Sequence, residues 1–254
     1  MTKLICVENR IDQNKRHFGS FLFEPLELGQ GITLGNTLRR TLLSDLSGFA
    51  ITGARINNLK HEFGIVEGIR EDILEILLNL KELAFKSSLA TLKAEKKIKS
   101  YIKIKGPAVI TAGLFNLPKN SLRVVNPNQY ICTLLDNSDF YLEIDIERGK
   151  GYNITEENYS LALKEKFAPK EPSTMPVDAL FMPVKRVNYK VKLIHDTQGN
   201  IKESLQLNVL TNGSTTPSRC VQEGLKIVAN LICPFFDKTE FQTITSELTR
   251  NLYK

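Results

Sequence analysis

The sequence lacks the features that mark membrane-spanning and secreted proteins. It contains no run of about 18 consecutive apolar residues, which is the length that a membrane-spanning helix needs. Its N-terminal residues include acidic and polar side chains, and they form neither an apolar signal peptide nor a leader rich in arginine and serine. We therefore expect a chain that is neither secreted nor membrane-spanning and that has no membrane partner.

Cysteine and histidine are also scarce. The three histidines are isolated, and the sequence has no nucleophile-elbow or P-loop pattern. The four cysteines form no CxxC pair and lie far apart, at Cys6, Cys132, Cys220 and Cys233. They predict neither a disulfide framework nor a zinc site, and they suit a reducing compartment. We therefore predict no metal site, no catalytic residue and no cofactor on this chain.

The rest of the composition is typical of a packed soluble protein. The chain has 254 residues, of which 42% are apolar and 24% charged, so it is long enough for one large domain or two modest ones. Its net charge of +6 suits an acidic partner or nucleic acid, although many proteins carry as much for solubility alone. We interpret the lysines between Lys93 and Lys105 as the charge of an exposed edge strand rather than as phosphate contacts.

Residues 24–44 read as a strand, a glycine turn and a helix, and the rest of the chain is organised around them. At about 100° per residue, Arg40 projects from the side of the helix opposite an apolar stripe that contains the small Gly35. Gly48 lies where a left-handed C-cap is expected. The stripe consists of Leu34, Leu38, Leu42 and Leu46. It needs an apolar partner, which leaves the permanently charged Arg40 for a contact outside the core.

A second helix is predicted from periodicity between residues 69 and 83. Its polar side carries Glu71, Glu75 and Glu82, which alone would be interpreted as a solvated surface. Its apolar stripe consists of Ile69, Ile73, Ile76, Leu77, Leu80 and Leu83. The helix therefore has one core face and one acidic face.

The remainder of the chain predicts strands and one more helix. Short runs of period two between 89 and 146 indicate a small antiparallel β region, and 187–193 with 205–209 indicate a hairpin. The last helix is expected to begin at Thr216 and Pro217 and to stop before Pro234. Its apolar face is unusually wide: Val221, Gly224, Leu225, Ile227, Val228, Leu231 and Ile232. A subunit interface explains that width, and a helix buried within its own domain is the alternative.

Two patterns admit an enzymatic interpretation, and both are weak. The glycines between residues 29 and 35 resemble a dinucleotide-binding loop, but the third glycine is one residue late and no regular alternation of strands and helices follows. Glu143, Asp145 and Glu147 share one face of a strand and alternate with apolar residues. That alternation favours a solvated strand face over a metal site or a pair of catalytic carboxylates.

Residues 24–44 closely resemble the signature of the RNA polymerase alpha subunit family. The run 67–81 resembles the second signature of the same family, and the two motifs occur in the family's order. Weaker similarities lie at 147–152, 176–184 and 211–214. The resemblance covers residues from about 15 to about 235.

The resemblance implies a fold and a role for the chain. The fold is α+β, with a discontinuous dimerisation domain (1–47 and 184–235) that contains an antiparallel sheet and two long helices. A β-rich domain (48–183) is inserted into it, and 236–254 form a short tail. The role is that of a homodimeric assembly platform for the beta and beta-prime subunits of a multisubunit DNA-dependent RNA polymerase. Sigma factor then joins through the holoenzyme, DNA contact is indirect, and nucleotidyl transfer occurs on the large subunits.

Particular residues match the family's contact positions. For the beta subunit these are Arg40, Leu43 and Glu75, and for the beta-prime subunit they are Lys81, Val177 and Val184. The dimerisation helices match residues 34–46 and 217–232. Their expected contacts are Leu34, Leu38, Leu42, Leu225, Val228, Leu231 and Ile232.

The chain departs from the family in one respect. Members usually continue through a linker into a helical C-terminal domain, whereas about twenty residues follow position 235 here. We therefore expect a chain without that domain. We also expect it to be encoded and located in a plastid, and the alternative location is the cytoplasm of a free-living bacterium. Two alternatives remain open: a heterodimeric assembly subunit of the archaeal or eukaryotic kind, and a dinucleotide-binding enzyme.

Overall fold

A computed structural model describes residues 3–57, 59, 63–64, 66–87, 97–118, 122–154, 174–195 and 199–235. The predicted tail 236–254, parts of the predicted β region between 89 and 146, and part of the turn between the hairpin strands lie outside these residues. Within them, no helix combines the length and apolarity needed to cross a membrane.

The described residues form three α-helices and fourteen β-strands, numbered in chain order. The helices are α1 (Gln30–Ser44), α2 (Ile73–Lys81) and α3 (Pro217–Ile232). The first seven strands are β1 (Lys3–Ile11), β2 (His17–Leu26), β3 (Ser47–Ile56), β4 (Phe85–Ser87), β5 (Lys97–Lys105), β6 (Ala108–Thr111) and β7 (Leu122–Val124). The other seven are β8 (Tyr130–Leu134), β9 (Asp139–Lys150), β10 (Tyr152–Asn153), β11 (Met175–Pro176), β12 (Ala179–Leu180), β13 (Val184–His195) and β14 (Ile201–Thr211).

One four-stranded antiparallel sheet joins the two ends of the described chain, in the order β1-β2-β14-β13. Residues of period two on β2 and β14 face the same side, where Phe23 lies opposite Leu205 and Phe21 opposite Leu207. Helices α1 and α3 pack on this side. The shared core comprises Phe21, Phe23, Leu26, Leu38, Leu42, Leu46, Val184, Val187, Leu205, Leu207, Val209, Cys220 and Val221.

A second four-stranded sheet, in the order β11-β3-β9-β5, belongs to a separate and larger core. Helix α2 contributes Ile73, Ile76, Leu77 and Leu80 to this core, and β9 contributes Leu142, Ile144 and Ile146. Strand β5 is an edge strand, and its exposed positions carry Lys97, Lys99, Lys103 and Lys105, which is the predicted placement of this part of the lysine cluster.

The predicted α+β class is confirmed, because the sheets are antiparallel and the helices pack on them rather than alternating regularly with parallel strands. The predicted C-cap at Gly48 is wrong. Helix α1 ends at Ser44, its C-cap Asp45 is right-handed, and Gly48 belongs to β3. A Cβ atom at Gly48 would clash with the carbonyl oxygen of Phe181, so this position needs glycine for a close backbone approach instead.

Candidate subunit interfaces

The N-terminus of α1 is held by a carboxylate from a distant strand. Gly29 is left-handed, with φ 86°, and begins the helix without a side-chain cap of its own. Glu203 on β14 accepts hydrogen bonds from the N–H groups of Gly29, at 3.0 Å, and Gly31, at 2.8 Å. The helix dipole favours an anion at this position, and Glu203 is only 7% exposed. Because Glu203 already occupies the glycine turn, the dinucleotide interpretation loses its phosphate site.

Helix α1 presents Arg40 to solvent while its leucines pack inward. Leu38 and Leu42 are fully buried in the chain's own core, and Leu34 and Leu43 are half-buried. Arg40 is exposed, and among the described residues its guanidinium has no ion-pair partner. The charge predicted to be left over for an outside contact is therefore available on a helix that is fixed by packing.

Helix α3 changes character along its length. Its first half is buried through Cys220, Val221 and Gly224, and a Cβ atom at Gly224 would lie 3.0 Å from Leu42 of α1. The second half is open to solvent: Leu231 is 68% exposed and Ile232 is exposed too. Phe235, in the 3-10 turn that follows, is also exposed. The apolar face of α3 therefore extends beyond its own sheet.

The structure brings the predicted dimerisation residues of α1 and α3 together, but they differ in accessibility. Leu38 and Leu42 touch only their own core, so they support the helix pair from within. Leu225 and Val228 are half-buried beside them, and the two residues at the end of α3 are exposed. Direct contact with a second copy would fall mainly on the C-terminal half of α3, and this remains a prediction.

Helix α2 has a shorter acidic face than predicted, because it begins only at Ile73. Glu75 and Glu82 are exposed, but Glu71 precedes the helix and is buried. Its carboxylate accepts hydrogen bonds from the Tyr130 hydroxyl and from the N–H of Thr133, at 2.7 Å. The prediction that Glu71 belongs to a solvated acidic face is therefore wrong.

The pKa of Glu71 reflects these partners. Burial favours a higher pKa, but the hydrogen bonds from Tyr130 and Thr133 and the nearby charge of Arg70 together hold the pKa of Glu71 below its ordinary value. The carboxylate therefore stays charged while it joins the loop before α2 to β8.

Lys81, at the end of α2, is bound to its own chain. Its Nζ donates to Asp178 Oδ2 at 3.0 Å and to the Tyr152 hydroxyl at 3.1 Å, and that hydroxyl donates to the same carboxylate at 3.0 Å. The ammonium also lies 5.1 Å from the centroid of the Tyr152 ring. The hydrogen bonds to Tyr152 and Asp178 raise the pKa of Lys81.

The other two residues matched to the beta-prime subunit point inward. Val177 is 7% exposed and belongs to the core beneath α2, while Val184 is 3% exposed and belongs to the core beneath α1. The backbone N–H of Val177 donates to Thr52 on β3 at 3.1 Å. The side chains of both valines are therefore packed within the cores of their own chain.

Comparison with known proteins identifies the family. The family described as RNA polymerase Rpb3/RpoA insert domain matches residues 54–182. The DNA-directed RNA polymerase subunit alpha of Porphyra purpurea is 45% identical over 228 residues, which is 90% of this chain and 69% of the relative. The subunit alpha of Rhodomonas salina is 42% identical over 255 residues, covering 97% of this chain and 76% of the relative. This chain belongs to the RNA polymerase alpha subunit family.

Membership places the alpha chain in a polymerase assembled with other subunits, and therefore within a nucleotidyltransferase complex. A further relative, the subunit alpha of Cyanophora paradoxa, is 39% identical over 246 residues, 95% of this chain and 74% of the relative. These relatives come from plastid genomes of algae, which indicates plastid encoding for this chain.

The carboxylates on β9 form ion pairs in this alpha subunit. Lys97 lies 3.0 Å from Asp145, and Lys99 and Arg55 lie 3.4 Å and 3.7 Å from Glu143. The face is less solvated than predicted, because Asp145 is buried. In the described part of the chain, no cluster of three or more metal-ligating side chains occurs.

Sequence reasoning missed three residues that shape these surfaces: Tyr152, Asp178 and Glu203. Glu203 had a usable signal, because it is in phase with Leu205 and Leu207 on the buried face of β14. A charged residue in such a phase needs a buried partner. Tyr152 and Asp178 lie within the weaker similarities at 147–152 and 176–184, but no local pattern indicated their contact with Lys81, because only the fold brings the three residues together.

Proposed function

We propose that this alpha subunit forms a homodimer through α1 and α3 and that the dimer is the platform on which the beta and beta-prime subunits assemble. The observation that carries the proposal is the exposed apolar end of α3, where Leu231 and Ile232 continue a face that is half-buried one turn earlier and buried only in the first half of the helix. A symmetric dimer covers the same patch on both copies and removes this surface from water.

Further contacts are assigned to the two large subunits. Arg40, Leu43 and Glu75 would meet the beta subunit, and the exposed Arg40 on a packed helix supports that role. A planar fork of donors on a rigid element suits a carboxylate or backbone carbonyls of a partner. Lys81, Val177 and Val184 would govern contact with the beta-prime subunit.

The chain's own part in the reaction is proposed to be non-catalytic. It carries no catalytic residue and needs no cofactor, nucleotidyl transfer occurs on the large subunits, and DNA contact is indirect. Sigma factor associates through the holoenzyme. The proposed location is the plastid, which the origin of the relatives supports.

Native mass spectrometry of the chain co-expressed with beta and beta-prime subunits tests the proposal. The expected assembly contains two copies of this chain with one copy of each large subunit. A single copy of the chain in every assembly would instead support the heterodimeric alternative. A monomer of the isolated chain at all concentrations would contradict the homodimer.

A further inference from the structure

Lys81, Tyr152 and Asp178 form a closed triangle of hydrogen bonds that links three elements of the alpha subunit. Lys81 ends α2, Tyr152 begins β10, and Asp178 lies immediately before β12. The three polar atoms lie 3.0–3.1 Å from one another. Charge-assisted hydrogen bonds of this kind are stronger than neutral ones.

The segment between Val177 and Leu180 is fixed at several points. Val177 is buried, and its N–H donates to β3. Asp178 is bound by Lys81, and Ala179 is buried while Leu180 pairs with Tyr152 across the small β10–β12 sheet. The outward side chain of the segment is that of Leu180, which is exposed.

We propose that Lys81 is a positioning residue for the large-subunit contact: its ammonium holds Asp178 and Tyr152, and so fixes the segment 177–180 against α2, rather than binding the partner itself. The inference rests on the proposed function, because it concerns how the surface assigned to the beta-prime subunit keeps its shape. It also fits the assignment of the buried Val177 to the same contact, since both residues lie at or against the segment 177–180.

Swapping the charges of Lys81 and Asp178 tests the proposal directly. In Lys81→Asp the triangle loses its cation, and capture of the beta-prime subunit by the co-expressed assembly is expected to fall about tenfold or more. The double variant Lys81→Asp with Asp178→Lys restores one cation and one carboxylate between the same elements, and capture is expected to recover. Lys81→Arg is expected to retain most of it. Lys103→Asp, which reverses an exposed charge on β5, is the matched control and leaves capture unchanged.

Hydrogen exchange on the isolated chain provides the second readout. The amides of 178–180 are expected to exchange faster in Lys81→Asp and to return to the wild-type rate in the double variant. The inference would be overturned if Lys81→Asp loses capture, the double variant does not restore it, and the hydrogen-exchange rates of the amides stay unchanged. That result would show that Lys81 touches the partner directly. Normal capture by Lys81→Asp would also overturn the inference. If the wild-type chain itself captures no beta-prime subunit, the proposed function fails first, and that result is distinct from both.

Discussion

The two cores of this alpha subunit differ in how far the residues matched to a partner subunit are exposed. Around the first sheet, hydrogen bonds to Glu203 hold the start of α1, and its leucines pack in the core. Arg40 on the same helix is exposed. Around the second sheet, Glu71 and Lys81 are bound to their own chain, and Val177 is buried. The difference teaches that variants of the exposed residues in the first region test contact with a partner, whereas variants of residues bound within either core test the stability or shape of a surface.

The largest effect is expected from a charge placed on the exposed apolar end of α3. Leu231→Glu should convert the homodimer to monomer or aggregate, because an unpaired charge in an apolar interface costs about 3–5 kcal/mol. Sedimentation velocity measures the change. Leu193→Glu on β13 is the matched control, since both leucines are 68% exposed in the single chain. An unchanged dimer in Leu231→Glu would remove the end of α3 from the interface.

The next effect separates dimerisation from large-subunit capture. Arg40→Ala should spare the homodimer and weaken capture of the beta subunit by about 2 kcal/mol or more, because truncating an anchor of this type leaves its partner unpaired. Arg40→Lys should restore capture only in part, since a point charge does not reproduce the planar fork. Sedimentation followed by pull-down measures both steps. If dimerisation fails first, Arg40 belongs to the homodimer interface instead.

A third change weakens the hydrogen bonds between Glu203 and the start of α1. Glu203→Gln replaces one of two acceptors with a donor facing a glycine N–H, and it should destabilise the fold by about 1–3 kcal/mol in urea unfolding. Glu27→Gln is the control, because Glu27 lies just before the same helix but is 65% exposed, so its ion pair with Lys202 is screened by solvent and contributes little. Equal stabilities of the two variants would mean that the contact from β14 contributes nothing beyond surface charge.

The sequence predicted the parts of this molecule that periodicity controls. The leucine stripe of α1 and the hairpin of β13 and β14 follow from repeats of 3.6 or 2 residues, and the edge position of β5 follows from its lysines. The predictions for Glu71 and Gly48 were wrong because they assumed that α2 begins earlier and that α1 ends later than the structure shows. Tertiary contacts with β8 and Phe181 determine these two positions instead. The triangle at Lys81 joins residues up to 97 positions apart, so no local pattern contained it.

The smallest expected effect concerns pH and the second region. Because the folded-state pKa of Glu71 is lowered, its stabilising contribution is fully present above the ordinary value of 4.5 and is lost as the pH falls through the lower folded-state value. The difference in unfolding free energy between wild type and Glu71→Gln should therefore shrink in acid. Glu75→Gln, on exposed α2 surface, should show no such change. Parallel pH profiles for wild type and Glu71→Gln would show that the Glu71 charge adds nothing to the junction between α2 and β8, and that this region is held by its apolar core alone.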